Sequence, residues 1–133
     1  MCSKNVKTNT NIGSVTIATA NSHLNGTGIM GTVLTAGTAS GASGTFIRSI
    51  TIKATGNTTL GMVRIFINDG STNYLYREVM VPANNQTGVV QAFTATITEP
   101  FTLNSGYAIK AATQNAESFN VIANGMDMIT CDC

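Results

Sequence analysis

Few side chains in this sequence have the chemistry of a catalyst. The 133 residues include one histidine, His23, six Asp or Glu and three cysteines. A Ser-His-Asp triad would need His23, which lies in a turn-rich segment without the motif that presents a nucleophilic serine. The carboxylates from which a glycosidase pair would come are Glu78, Glu99, Glu117 and Asp127. We expect Glu78 to pair with Arg64 and the others to lie at turns, so the sequence predicts no catalytic residues and no enzyme.

Two segments superficially resemble ion- or phosphate-binding loops. The segment "NDGSTN" lacks the remaining ligands and the glutamate of a calcium-binding loop. The segment "NGTGIMGT" is rich in glycine, but it has no lysine and no helix is expected after it, so it does not match a phosphate-binding loop. The sequence therefore predicts neither a metal site nor a cofactor.

The three cysteines, Cys2, Cys131 and Cys133, lie near the two ends of the sequence. No internal disulfide framework is implied, because none of them lies in the body of the domain. Cys-x-Cys alone is a weak zinc pattern, since a closed zinc site needs four ligands. Reduced thiols are the favoured interpretation. The alternative is a cross-link within or between subunits that forms in an oxidising medium.

One candidate binding site follows from the segment "NDGSTNY". Tyr74 adjoins the polar residues Asn68, Asp69 and Asn73 at the expected tip of a β-hairpin. An aromatic ring beside amide and carboxylate groups can stack on a sugar, and it can equally pack against a neighbouring subunit. We therefore name these four residues as a possible contact with a ligand or partner.

Composition excludes several classes of partner. Seven Lys or Arg against six Asp or Glu give a net charge of +1, without the clustered cations that nucleic acid requires. The sequence contains no run of 18 apolar residues, so it predicts no membrane span. The N-terminal segment lacks the apolar core of a secretory signal. With charge so scarce, the polar surface must come from Thr, Asn, Ser and Gly, which favour strands and turns and present little charge repulsion against self-association.

The segment "MVRIFINDGSTNYLYREVMVP" predicts a β-hairpin with its turn at Asp69-Gly70. Its alternating residues suggest a register with these cross-strand pairs: Met62–Met80, Val63–Val79, Arg64–Glu78, Ile65–Arg77, Phe66–Tyr76 and Ile67–Leu75. A slip by one residue would move every side chain to the opposite face of the sheet. The ion pair of Arg64 with Glu78 favours this register.

About eight strand segments follow one another with turn residues between them, and no long helical period interrupts them. Such a chain predicts an all-β, single-domain antiparallel sandwich of the jelly-roll type, with an immunoglobulin-like sandwich as the alternative. The expected division is a flexible N-terminal arm (residues 1–13), the sandwich (14–128) and a cysteine-containing tail (129–133).

Residues 46–82 and the later segment "GYAIKAATQNAESFNVIANGMDM" resemble small β-sandwich virion proteins of tailed bacteriophages, of the capsid-decoration or head-fibre type. The resemblance implies a structural virion protein that self-associates, with a trimer favoured, and docks on the major capsid protein or another virion protein. It also implies synthesis and assembly in the host cytoplasm. The alternative is a fibre knob that binds a carbohydrate or receptor, such as a host-surface glycan. Neither function requires nucleic acid, a membrane or a cofactor.

Overall fold

The computed structural model describes the backbone of residues 5–131 and the side chains of residues 7–129. This part of the chain forms nine β-strands and contains no helix, hence none that could cross a membrane. The strands are β1 (Asn5–Ile17), β2 (Gly31–Thr35), β3 (Ala42–Ala54), β4 (Gly61–Asn68), β5 (Asn73–Val81), β6 (Thr94–Ile97), β7 (Phe101–Asn104), β8 (Ala108–Thr113) and β9 (Phe119–Cys131). The predicted all-β class is confirmed.

The strands form two antiparallel sheets that pack face to face. Sheet A has the order β1-β9-β3, and both β6 and β7 pair with the far edge of β3. These two short strands pair with successive parts of β3, so they act as one edge strand that is interrupted at residues 98–100. Sheet B has the order β2-β8-β4-β5.

The pairing is nested along the chain. The hairpin β4–β5 is innermost, followed outward by β3 with β6 and β7, then β2 with β8, and finally β1 with β9. This winding is that of a jelly roll, and it has eight strand positions when β6 and β7 count as one. The immunoglobulin-like alternative does not fit, because its first two strands lie in the same sheet, whereas β1 and β2 lie in different sheets.

The core lies between the sheets and consists mainly of β-branched residues, which suit pleated and buried strands. Ile47, Ile50 and Ile52 of β3 are fully buried, as are Val63 and Ile65 of β4. Full burial of such a side chain stabilises the fold by about 1.5–3 kcal/mol relative to exposure. The alternation of buried and exposed residues therefore fixes which face of each strand points inward.

The outer face of sheet B is partly covered by the long connection between β1 and β2. The residues next to Phe66 in β4 belong to the core between the sheets, so Phe66 points to the outer face of the sheet. It is nevertheless fully buried. The connection bridges to the end of β8 through Ala20 and Thr113, and it reaches the start of β5, where Gly26 contacts Asn73. On sheet A, the outward-facing Ile12 and Ile122 are exposed.

The predicted arm and tail are wrong for the residues that the structure describes. Residues 5–13 form most of β1, which pairs with β9 from Asn5–Cys131 to Ile17–Phe119. Thr, Asn and Lys fill this strand because one of its faces is open to solvent and its first half extends beyond the apolar core, so its alternation is hard to see in the sequence. Residues 1–4 and 132–133 of the predicted arm and tail lie outside the described residues.

The predicted hairpin register is confirmed for the half nearest the core. Four predicted pairs are present: Met62–Met80, Val63–Val79, Arg64–Glu78 and Ile65–Arg77. Beyond Ile65 the register shifts by one residue, so Phe66 lies opposite Leu75 and Ile67 opposite Tyr74. The predicted pairs Phe66–Tyr76 and Ile67–Leu75 are wrong because a β-bulge inserts Tyr76 into β5.

Candidate functional site

The tip of the β4–β5 hairpin is a turn held by its own polar groups. Asp69 Oδ1 accepts hydrogen bonds from the amides of Thr72 at 2.8 Å and Ser71 at 3.0 Å. These hydrogen bonds hold the pKa of Asp69 below its ordinary value, and the bond from Thr72 contributes most. Gly70 takes the positive φ of 106° that the turn requires, and its amide donates to Asn68 Oδ1 at 2.8 Å.

The two asparagines at the base of the tip bind each other and the rest of the fold. Asn68 Nδ2 donates to Asn73 Oδ1 at 2.7 Å, and Asn73 Nδ2 donates to the carbonyl of Gly26 at 2.9 Å. The second bond ties the tip to the connection between β1 and β2. Most polar groups of the predicted contact site are therefore engaged within the protein, and their role in orienting the tip is structural.

Tyr74 is the member of the predicted contact site that presents the most free surface. The structure brings it beside Asn73 at the start of β5, with 56% of the residue exposed. β5 is an edge strand of sheet B, and Tyr74 lies opposite Ile67 near its start, so the Tyr74 residue lies at the edge of the sheet. The structure thus groups all four predicted residues at one tip and leaves an exposed aromatic ring there.

Asp127, which the sequence predicts to lie at a turn, is instead the centre of a buried polar cluster. It lies in β9, only 1% exposed. Its Oδ1 accepts hydrogen bonds from Thr45 Oγ1 at 2.6 Å and from Asn11 Nδ2 at 2.8 Å. Its Oδ2 accepts from the amide of Ala39 at 2.8 Å and from Thr38 Oγ1 at 3.2 Å. One carboxylate therefore joins β1, β3, β9 and the loop that precedes β3.

Two opposing effects act on the pKa of Asp127. Burial raises it, whereas the hydrogen bonds from Thr45, Ala39, Asn11 and Thr38 lower it, and together they bring it below its ordinary value. The carboxylate is therefore ionised and fully engaged with donors, as a structural anion is rather than a general acid. The alternation around "NGMDM", with Gly125 and Asp127 at core-facing positions, was the available signal for its burial.

The remaining carboxylates are held apart by separate partners. Glu78 lies 3.9 Å from Arg64 Nε, as the ion pair predicted from the sequence requires. Glu99 lies 2.6 Å from Arg77, and this ion pair links β5 to the break between β6 and β7. Glu117 accepts from the amide and hydroxyl of Thr59 at 2.7 and 2.8 Å. Among residues 7–129, whose side chains the structure describes, no three His, Cys, Asp or Glu side chains are grouped as metal ligands would be.

The predicted cross-linking residues lie at or beyond the limits of the described chain. Cys131 ends β9, and its backbone lies opposite Asn5 of β1. Cys2 and Cys133 lie outside the described residues. A cross-link through these cysteines remains a prediction. His23, the one histidine, is exposed in the connection between β1 and β2.

The outer face of sheet A is an open, nearly uncharged surface. Ile12 of β1 and Ile122 of β9 are 58% and 39% exposed, and they alternate with core-facing neighbours. Threonine, serine and asparagine side chains occupy most other outward positions of the sheet. Arg48 and Lys53 of β3 are the charged side chains on this face, and the described part of the sheet presents no carboxylate there.

A second apolar surface lies on sheet B. A shallow groove of about 320 Å³ is lined by Leu60, Met62 and Met80 together with Gly61, Gln114 and Asn115. Met80 is 64% exposed on this surface. The groove has no titratable side chain in its lining, so its surface suits contact with another molecule better than acid–base chemistry.

No family model and no curated protein matches the chain. Among solved structures, the chain is similar to a chain in the "Acidic stable capsid structure of Helicobacter pylori bacteriophage KHP30". The two chains share 14% sequence identity with a TM-score of 0.52, and the match covers 98% of each. At this identity the similarity establishes a common fold.

Proposed function

We propose that this protein is a non-enzymatic structural component of a bacteriophage virion that decorates the capsid or forms part of a head fibre. It acts by associating with further copies of itself and by docking on the major capsid protein or another virion protein. Its place of action is the particle, after synthesis and assembly in the host cytoplasm.

The single observation that carries this proposal is the extent of the structural match. Similarity over 98% of both chains means that the whole jelly roll corresponds to a chain in a phage capsid structure, with no large addition on either side. The chemistry of the described residues supports the same function. The carboxylates are engaged in separate structural contacts, and Asp127 is stabilised as a buried anion.

The outer face of sheet A is the surface that best supports docking. Residues 5–13 belong to β1 and pair with β9, so docking through a free arm of residues 1–13 is replaced here by docking through the sheet. The face combines exposed Ile12 and Ile122 with uncharged polar side chains, and its charged groups, Arg48 and Lys53, are both cationic. The partner that complements this face is therefore a protein surface with apolar groups and acidic groups opposite the two cations.

The experiment is to locate the protein on purified particles. Antibodies against the folded chain are used in immunogold labelling of particles that have been purified on a density gradient. Labels spread over the shell support capsid decoration, and labels on projecting fibres support the head-fibre alternative. Absence of the protein from intact particles, with all of it in the soluble lysate, would refute the proposal.

A pair of matched variants tests the docking face. Ile122→Lys adds a charge to the outer face of sheet A, whereas Met80→Lys adds one to the exposed surface of sheet B. We expect rebinding to particles stripped of the protein to fall sharply for Ile122→Lys and to stay near wild type for Met80→Lys. The reverse pattern would place docking on sheet B.

A carbohydrate- or receptor-binding knob is the second candidate, and the exposed ring of Tyr74 favours it. Asn68, Asp69 and Asn73 hold the tip in shape, so Tyr74 supplies most of the contact surface. Binding on a glycan array that is lost in Tyr74→Ala supports this candidate. An array without binding to the wild-type protein counts against it.

A further inference from the structure

The four edges of the two sheets differ in how well they are protected. Unpaired strand edges attract other strands, and proteins usually block them with short strands, bulges, prolines or charges. β2 has five residues and a register shift. β5 has a bulge and carries Arg77 in an ion pair with Glu99. β6 and β7 have four residues each, and Pro100 lies in the break between them.

β1 lacks every one of these features over most of its length. It has 13 residues, no proline and no register shift against β9. Lys7 is its one charged residue. Within residues 5–131, no strand pairs with its second edge. β2 contacts β1 through the core-facing positions Asn11, Gly13 and Val15, so the contact lies on the inner face and leaves the outer edge available.

We infer that β1 pairs antiparallel with β1 of a second copy, about a two-fold axis. This inference rests on the self-association in the proposed function and names the surface that performs it. Antiparallel pairing of a strand with itself is two-fold symmetric, so each copy supplies the partner that the other requires. The described part of the chain offers no other long, unblocked edge to which β1 could pair.

The position of Ile12 sets the register. Ile12 is 58% exposed, more than Val15 and Ile17 of the same strand, and it lies near the middle of β1. Pairing centred on Ile12 places the two Ile12 side chains against each other at the axis, with Thr10 opposite Ser14 of the second copy. Directly opposed side chains on a sheet lie within contact distance, so this register buries the exposed isoleucine.

The size of the contact suits a weak dimer that dissociates on dilution. Eleven paired residues, from Lys7 to Ile17, extend for roughly 37 Å at 3.4 Å per residue. A sheet edge about 10 Å thick then buries roughly 370 Å² on each copy, or roughly 740 Å² in total, which is the size of a weak interface. The pairing also joins the two A sheets into one sheet with a continuous outer face.

The test is the mass of the full chain in native solution. We expect a dimer that dissociates on dilution, and we expect Ile12→Lys and Thr10→Lys to shift it to the monomer. Both side chains are exposed and point outward, so circular dichroism should show a wild-type fold. The matched control is Thr96→Lys, an exposed position on β6, at the opposite edge of the same sheet. This variant should remain dimeric.

Two results would overturn the inference: a wild-type monomer at high concentration, or an oligomer, such as a trimer, whose mass the folded Ile12→Lys and Thr10→Lys variants retain. Its failure is distinguishable from failure of the proposed function. A monomer that still labels intact particles refutes the β1 pairing and leaves the virion function in place. A dimer that Ile12→Lys dissociates, but that is absent from particles, supports the β1 pairing and refutes the virion function.

Discussion

Replacement of Asp127 by asparagine is expected to weaken the fold strongly without changing the size of the side chain. The carboxylate accepts two hydrogen bonds at each oxygen, from Thr45 and Asn11 at Oδ1 and from Ala39 and Thr38 at Oδ2. Asparagine keeps one acceptor oxygen and puts an amino group in the place of the other. Whichever way the amide is oriented, an N–H donor then faces a second N–H donor in a buried site.

The expected cost follows from these contacts. A buried donor without a partner costs about 1–3 kcal/mol, and hydrogen bonds to a charged group contribute about 1.5–3 kcal/mol each against about 1 kcal/mol for neutral ones. The hydroxyls of Thr38 and Thr45 can rotate and recover part of the loss. We therefore expect Asp127→Asn to lower the free energy of unfolding by about 3 kcal/mol, or roughly 10 °C in Tm for a domain of this size.

The effect of Asp127 should depend on pH in a defined direction. Its pKa in the folded protein is lowered from 3.8, so its carboxylate stabilises the fold fully above that value. The stabilisation is lost as the pH falls through the folded pKa, because the carboxylate becomes protonated. The difference in unfolding free energy between wild type and Asp127→Asn should therefore be largest near neutral pH and should shrink below pH 3.8.

Urea unfolding followed by circular dichroism measures this difference. Asp69→Asn is the matched control, since Asp69 also accepts several hydrogen bonds, but at an exposed turn and through one oxygen that asparagine retains. Its effect should be much smaller. An Asp127→Asn protein within 0.5 kcal/mol of wild type at neutral pH would refute the reasoning, because it would mean that the buried donors find other partners.

Two further predictions concern the core and the tip. Ile65→Ala, at a fully buried position, should lower the free energy of unfolding by about 2–5 kcal/mol, whereas Ile122→Ala, on the open face, should change it by less than about 1 kcal/mol; urea unfolding compares them, and equal effects would contradict the assigned faces. Gly26→Ala and Gly70→Ala both place a Cβ at positive φ, but only the first meets the Asn73 carbonyl. Hydrogen exchange at the tip should therefore increase more in Gly26→Ala, and equal exchange would show that this contact does not hold the tip.

Much of the jelly roll could be predicted because its central strands are marked by β-branched residues at alternate positions. Ile50 and Ile52 in β3 and Val63 and Ile65 in β4 are such residues, and all four are fully buried. The confirmed half of the hairpin register depends on the same alternation, since a slip would have exposed them. The alternation of buried and exposed positions is therefore the feature of the fold that this sequence predicts best.

The features that escaped prediction have no such periodicity. The bulge at Tyr76 changes the register after Ile65 without any glycine or proline in β5 to signal it. β1 carries polar residues on both faces in its first half, so its pairing with β9 depends on backbone hydrogen bonds. The positions of these elements depend on contacts with residues that are distant in the sequence, so the local sequence does not predict them.

The location of the candidate site could be predicted from the sequence, but the hydrogen bonds of its residues could not. Asp69-Gly70, a common turn pair, predicts the position of the tip, and all four named residues lie there. Which of their polar groups are already engaged depends on Gly26, 47 positions from Asn73 in the sequence. The partners of Asp127 are equally remote, with Asn11 lying 116 positions away.

The nesting of β1 with β9 has a consequence for how the protein is made. During translation, β1 leaves the ribosome more than a hundred residues before the strand to which it pairs, so sheet A cannot close until β9 has been synthesised. The β4–β5 hairpin needs no later segment in order to form, because its two strands are adjacent in the chain, whereas each strand pair outside it requires a strand that is synthesised later. A nascent chain stalled before residue 119 would therefore expose β1 with both of its edges unpaired.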